Sequence, residues 1–280
     1  MRVTLFGATG LLGKALMREW HQDAVTGLSS RDADIRDAGR VLQVVRDTRP
    51  EWIVLSAAYT NVDGCENNAG LAFAVNRDGA INVARAAKEV GTRLMLLSSD
   101  YVFDGKKATP YETSDSRNPQ SIYGRTKEEA EITLQEMIPE CCIVRTSWLF
   151  GVGGKCFPDT ILNLAASRPT LDVVNDQRGC PTYVVDLAGS IISLCQKNAE
   201  GIIHVTNAGN CTWFELAQQI VQSADLATEV RPTSSEQVAR PAPRPAYSVL
   251  SPVSLAALGI SMPSWQDALK RYLDERLELR

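Results

Sequence analysis

Short apolar runs alternate with amphipathic stretches through the first half of the chain, the pattern made by βα units that build a parallel sheet. Runs at Arg2 to Phe6, Ala24 to Leu28, Trp52 to Ala57, Arg93 to Ser98 and Cys142 to Thr146 predict strands. Between them Leu11 to His21, Ala38 to Thr48, Ala69 to Val90 and Ser121 to Ile138 carry apolar residues at helical spacing. The pattern predicts an α/β fold, a doubly wound parallel sheet with a helix after nearly every strand. After Gly151 the alternation loosens into helices at Phe157 to Ala166, Val184 to Gln196 and Thr212 to Ala224, with strands at Leu171 to Val174 and Ile202 to Thr206. A last amphipathic helix runs from Ser264 to Leu277. Pro232, Pro241, Pro243 and Pro245 forbid a continuous helix between Arg231 and Ser248 and predict an extended connection there. Residues 1–150 thus read as the sheet domain and 151–280 as a smaller C-terminal lobe, some of whose segments return to the sheet.

Composition adds exclusions. A chain of 280 residues that is 44% hydrophobic can bury a substantial core, and a net charge of −4 argues against a broad surface for nucleic acid or anionic lipid. Any polyanion site should be small and enclosed. Met1 to Phe6 reads as a strand rather than a leader, and no apolar run approaches the roughly 18 residues of a membrane span. Seven scattered cysteines without a CxxC pair suit the reduced thiols of a cytoplasmic protein. His21 and His204 form neither HxxxH nor HExxH, so no metal site is expected.

Gly7-Ala8-Thr9-Gly10-Leu11-Leu12-Gly13 directly follows the first predicted strand and opens the first predicted helix. Gly7, Thr9, Gly10, Leu11, Leu12 and Gly13 therefore stand where backbone must approach a pyrophosphate at a helix N-terminus, which makes the predicted sheet Rossmann-type. NAD-specific enzymes usually place an acid at the end of the second strand. This chain has Ser29-Ser30-Arg31, whose hydroxyls and guanidinium suit the 2′-phosphate of NADPH. Asp32 lies close enough to serve as the missing acid, which keeps NADH as the alternative. Asp34 and Ile35 would border the adenine.

Ser99 closes the fourth predicted strand, and ligands bind at the carboxyl ends of parallel strands. Tyr123 and Lys127 follow four residues apart, on one face of a predicted helix. A phenol of pKa about 10 transfers protons poorly at neutral pH unless a nearby cation lowers it, and Lys127 supplies one. In a reduction, Tyr123 would protonate the nascent alkoxide, Ser99 would hydrogen-bond the carbonyl oxygen, and Lys127 would also hold the nicotinamide ribose.

Together these residues resemble the extended short-chain dehydrogenases and, within them, the dTDP-4-dehydrorhamnose reductase family. The resemblance runs nearly end to end. It is carried by Gly7 to Gly13, Ala57-Ala58-Tyr59-Thr60, Val62-Asp63, Glu66, Val75-Asn76, Ser99 to Phe103, Tyr123 with Lys127, Arg145 to Trp148, Asp176-Gln177, Gly179, Pro181-Thr182 and Arg244-Pro245. It implies NADP(H)-dependent reduction of the 4-keto group of a nucleotide-linked deoxysugar held between the sheet domain and the C-terminal lobe. It also implies that Ala57, Ala58, Tyr59, Asn76, Tyr123 and Lys127 join the cofactor site, and Val62, Asp63, Asp100, Val102, Trp148 and Arg244 the substrate site. Trp148 would lie beside the sugar and Arg244 near the diphosphate.

The chain departs from the family at Ser99, where threonine is usual, and at Tyr247, where asparagine is common. A homodimer is left open, but Ala15 replaces the glutamate of members that dimerise through magnesium. Two other readings compete. Positions 98 to 105, Ser-Ser-Asp-Tyr-Val-Phe-Asp-Gly, also resemble the non-catalytic β subunit of methionine adenosyltransferase. A dehydratase would need an Asp-Glu pair after the strand-end hydroxyl, and here Asp100 is followed by Tyr101.

Overall fold

The computed structural model describes residues 1–278. Its first half runs β1 (Arg2–Phe6), α1 (Leu11–Glu19), β2 (Ala24–Leu28), α2 (Ala38–Thr48), β3 (Trp52–Leu55), α3 (Val62–Asn67), α4 (Ala69–Phe73), α5 (Gly79–Val90), β4 (Arg93–Ser99), α6 (Ile122–Met137) and β5 (Cys142–Thr146). The second half adds β6 (Leu149–Phe150), α7 (Phe157–Ala165), β7 (Thr170–Val174), β8 (Arg178–Gly179), β9 (Thr182–Tyr183), α8 (Val184–Gln196), β10 (Gly201–His204), β11 (Cys211–Thr212), α9 (Trp213–Ser223), β12 (Glu229–Thr233), α10 (Val253–Ala256) and α11 (Trp265–Glu278).

Six strands form one sheet in the order β10-β5-β4-β3-β1-β2, and every pairing in it is parallel. The doubly wound α/β fold expected from the pattern is therefore the fold. The winding reverses between β1 and β3, the kind of crevice in which open parallel sheets bind ligands. Strand β10 and helix α8 come from beyond residue 150; α8 packs against α1.

The core follows from strand alternation. Trp52 and Val54 of β3, with Met95 and Leu97 of β4, face one layer of buried residues that includes Leu16 of α1 and Ile191 of α8. Ile53, Leu55, Leu94 and Leu96 face the other, with Val45 of α2, Val83 of α5 and Leu134 of α6. A sheet covered on both faces needs strands that are apolar throughout, which is why these runs read as continuous. A third buried cluster joins Ile161 of α7, Ile220 of α9 and Leu269 and Tyr272 of α11 with Phe150 of β6.

Two local features depart from the pattern. The stretch expected as one helix from Ala69 carries a π-helical turn at Ala74–Asp78. Part of the proline-rich connection is a strand: β12 pairs with β7 in parallel and contains Pro232. Proline is tolerated because this sheet has only two strands, so β12 has a free edge. Among the described residues no helix is long and apolar enough to cross a membrane.

Candidate active site

A cleft of about 700 Å³ opens along the carboxyl ends of β1, β3, β4 and β5 and is closed on its far side by residues of the C-terminal lobe. Gly7, Thr9, Gly10, Leu11 and Leu12 line it. Gly7 has φ +93°, and a Cβ there would stand 2.6 Å from the backbone nitrogen of Ala57. Gly13 is not in the lining but makes the turn possible, since a Cβ on it would meet the Gly7 carbonyl oxygen at 2.1 Å. The N-cap of α1 is Gly10, no side chain caps the helix, and its first turn holds no acid. Its free N–H groups are thus left for an anion, and the loop fits a dinucleotide diphosphate.

Ser29, Ser30, Asp34 and Ile35 also line the cleft, together with Ala57, Ala58 and Thr60 beyond β3. Arg31 does not; Arg36 does. Asp32 accepts from the backbone nitrogen of Ser29 at 2.8 Å and from its hydroxyl at 2.6 Å, so its carboxylate closes the local turn. Arg36 is paired with Asp34 at 2.5 Å, which leaves its guanidinium at the rim of the cleft. The pattern at the end of β2 pointed to Arg31, and only the path of the chain into α2 brings Arg36 there instead.

Asn76 lies on the π-helical turn and is buried. Its side chain accepts from the Tyr59 backbone nitrogen at 2.7 Å, donates to the Tyr59 carbonyl at 3.1 Å, and donates to the Thr126 hydroxyl at 3.0 Å. It thereby ties the segment after β3 to α6, and neither Asn76 nor Tyr59 lines the cleft. The wider turn is what aims the amide at that backbone.

Ser99, Tyr123 and Lys127 come together in the cleft, all three nearly buried. Ser99 caps the short 3₁₀ turn Asp100–Val102, accepting from the Tyr101 backbone nitrogen at 3.2 Å and donating to Asp100 Oδ1 at 2.9 Å. Ser121 caps α6 by accepting from the Gly124 nitrogen, which starts the helix at Ile122, one residue before Tyr123. Tyr123 packs edge-on against Tyr101, with ring centroids 5.6 Å apart.

Burial, then the charge of Asp100, raises the pKa of the Tyr123 phenol well above its ordinary value, and the Ser99 hydroxyl restrains the rise. The phenol is therefore held neutral, the form a proton donor requires. Lys127 donates to the Leu97 carbonyl at 2.6 Å. Burial pulls its pKa down to about 8, against the raising effect of Glu131.

Asp100 is 1% exposed, and its Oδ2 has no hydrogen-bond partner among the described residues. Burial pushes its carboxyl up from 3.8 to about 6, restrained by the Ser248 and Ser99 hydroxyls. Between those two pH values the folded protein binds this proton more tightly than the unfolded chain does. Asp100 thus costs stability as pH rises through that window, and the full cost remains above it. Asp100→Asn should stabilise the protein by about 1–3 kcal/mol at neutral pH, with the gain vanishing near pH 4. Urea denaturation at the two pH values checks this; an equal gain at both would refute the titration account.

The remaining candidates lie toward the C-terminal lobe. Val62 and Trp148 line the cleft, as do Tyr101, Lys155 and Trp213. Trp148 has φ +48°, an uncommon conformation for so large a residue, and stacks on Trp213 with centroids 3.5 Å apart and planes 7° from parallel. Gly179 lies against the Nε1 side of the Trp148 ring, where a Cβ would stand 2.5 Å from Cε2. One indole face is thus covered, so Trp148 and Trp213 meet the cleft as a pair.

Asp63 and Arg244 satisfy each other through two hydrogen bonds of 2.5 and 2.9 Å, beside the cleft rather than in its lining. Val102 is fully buried with Phe103, Tyr111 and Leu250. Sequence reasoning missed Arg36, Lys155 and Trp213. Trp213 opens an amphipathic helix, and nothing local marks it as different from a core residue.

Residues 1–278 match the family model described as the RmlD substrate binding domain. The chain is 38% identical over 277 residues to the spore coat polysaccharide biosynthesis protein SpsK of Bacillus subtilis, covering 98% of each chain. It is 40% identical to the dTDP-4-dehydrorhamnose reductase of Streptomyces griseus, covering 94% of this chain and 90% of that one. Among solved structures, the dTDP-4-dehydrorhamnose reductase of Bacillus anthracis in complex with NADP superposes with a TM-score of 0.95 at 39% identity, over 98% of this chain and 99% of the other.

Proposed function

The chain belongs to the RmlD substrate binding domain family, and from that premise we propose that it is an NADPH-dependent oxidoreductase. Its substrate in this reading is dTDP-4-dehydrorhamnose, whose 4-keto group it reduces to give dTDP-L-rhamnose. The observation that carries the reading is the meeting of Ser99, neutral Tyr123 and Lys127 in one cleft with the uncapped N-terminus of α1.

The glycine loop would hold the cofactor diphosphate, and Ser29, Ser30 and Arg36, all in the cleft lining, would receive its 2′-phosphate. When bound, the nicotinamide supplies the hydride to the sugar carbon. The carbonyl oxygen would lie against the Tyr123 hydroxyl and against the Ser99 hydroxyl, which turns from Asp100 to donate to it. As the oxygen gains charge, Tyr123 gives it the phenolic proton and the product is the alcohol. Lys127, protonated below pH about 8, stabilises the phenolate left behind and orients the cofactor ribose. Trp148 and Trp213 wall the sugar on the C-terminal side, and Arg244 reaches the diphosphate by sharing itself with Asp63.

Purified protein should oxidise NADPH when given dTDP-4-dehydrorhamnose, with a turnover in the ordinary range of about 1–10³ s⁻¹ read from the loss of NADPH absorbance. No turnover, despite intact NADPH binding, would sink the reductase reading.

A further inference from the structure

Behind the candidate active site lies a buried ionic cluster that the reaction as described does not use. Glu131, on the same face of α6 as Tyr123 and Lys127 and one turn beyond Lys127, is 0% exposed. Its carboxylate accepts from the Ser98 hydroxyl at 2.5 Å, from Arg145 Nε at 3.0 Å and Nη2 at 2.6 Å, and from Arg117 Nη1 at 3.1 Å. Ser98 and Arg145 are register partners on β4 and β5, so one carboxylate binds the ends of both strands. Ser98 precedes Ser99, and Arg145 precedes Thr146, which lines the cleft.

We propose that Glu131 is a positioning residue: it clamps α6 to β4 and β5 so that Tyr123 and Lys127 face Ser99, and it sets a carboxylate one helical turn from the Lys127 ammonium. A buried carboxylate so heavily bonded is costly to assemble, and a well-packed apolar cluster would serve stability as well. What an apolar cluster would not supply is a negative charge one helical turn from a buried lysine. Burial pulls the Lys127 pKa down to about 8, and Glu131 is the group that opposes this. The charged and titratable groups around this carboxylate are Arg145 from β5, Arg117 from the segment before α6, Lys127 and Glu128 on α6, Cys141 before β5, and His204 of β10. His204 stays neutral, its pKa pulled down to about 3 by burial and Arg145.

The proposal rests on the reading of Lys127 as a cation that holds the cofactor. Its test is therefore the pH dependence of NADPH binding, followed by cofactor fluorescence without substrate. Wild-type affinity should weaken through an alkaline limb near pH 8, as Lys127 loses its proton. Glu131→Gln should move that limb down by about one pH unit and lower kcat about tenfold with little change in KM for the sugar. Arg117→Met removes a cation that neutralises Glu131, and should move the limb upward by about half a unit. Arg117 is 24% exposed in its side chain, so this variant keeps the test alive should Glu131→Gln fail to fold. Absence of the limb in the wild type would overturn the reading of Lys127. A wild-type limb that neither variant moves would overturn the role of Glu131 and leave it a structural clamp.

Discussion

Tyr123→Phe is expected to lower kcat/KM for dTDP-4-dehydrorhamnose by about 10²–10⁴-fold, the range associated with loss of a positioned general acid. NADPH affinity should change by no more than about twofold, because the substitution removes no group that binds substrate and transition state alike. The ring is buried and packs edge-on against Tyr101, so phenylalanine keeps the packing and loses only the hydroxyl. No neighbour can readily replace it. Ser99 is an aliphatic hydroxyl, too weak an acid to take its place, and Lys127 is bound to the Leu97 carbonyl. Steady-state kinetics with an NADPH titration read both quantities. A loss smaller than tenfold would mean that the alkoxide takes its proton from elsewhere, such as Asp100 at its raised pKa of about 6.

The largest expected effect on stability belongs to Arg145→Leu. Arg145 is 1% exposed and makes the two-pronged contact with Glu131; removing it leaves a fully buried carboxylate held by Ser98 and by the half-buried Arg117. Breaking a buried pair from one side costs about 3–5 kcal/mol, because the remaining charge loses its compensation. Replacing both partners, Glu131→Leu with Arg145→Leu, should recover much of that loss, since no buried charge is then stranded. Urea denaturation of the two variants provides the comparison. A single variant within about 1 kcal/mol of wild type would show that Arg117 alone compensates Glu131. Such an outcome would also weaken the case that this cluster governs Lys127.

The candidate site was legible where function depends on local geometry. Gly7 and Gly13 announce themselves because a Cβ at either would strike backbone, and a YxxxK spacing puts two side chains on one helical face wherever the helix packs. Arg31 marks the limit of that reasoning. It stands at the expected offset from β2, yet Arg36 reaches the cleft because the chain turns through the Asp32 to Ser29 bonds before entering α2. Asn76 shows another limit. The resemblance implies that it joins the cofactor site, and in the fold its amide is bonded to the backbone of Tyr59 from a π-helical turn.

The amino-acid sequence by itself determined the doubly wound sheet, the glycine loop at the first helix and the Ser, Tyr and Lys set, because each rests on periodicity or short spacing. Tertiary structure alone decided which distant segments meet those elements. It stacked Trp213 on Trp148, joined Asp63 to Arg244, and gathered Ser98, Arg117, Glu131 and Arg145 into one buried cluster. It also decided protonation: Tyr123 kept neutral, Lys127 brought to about 8 and Asp100 to about 6. The reason is physical. Spacing along a chain fixes the direction of a side chain, but desolvation and charge proximity depend on what packs over it, and that is a property of the whole fold.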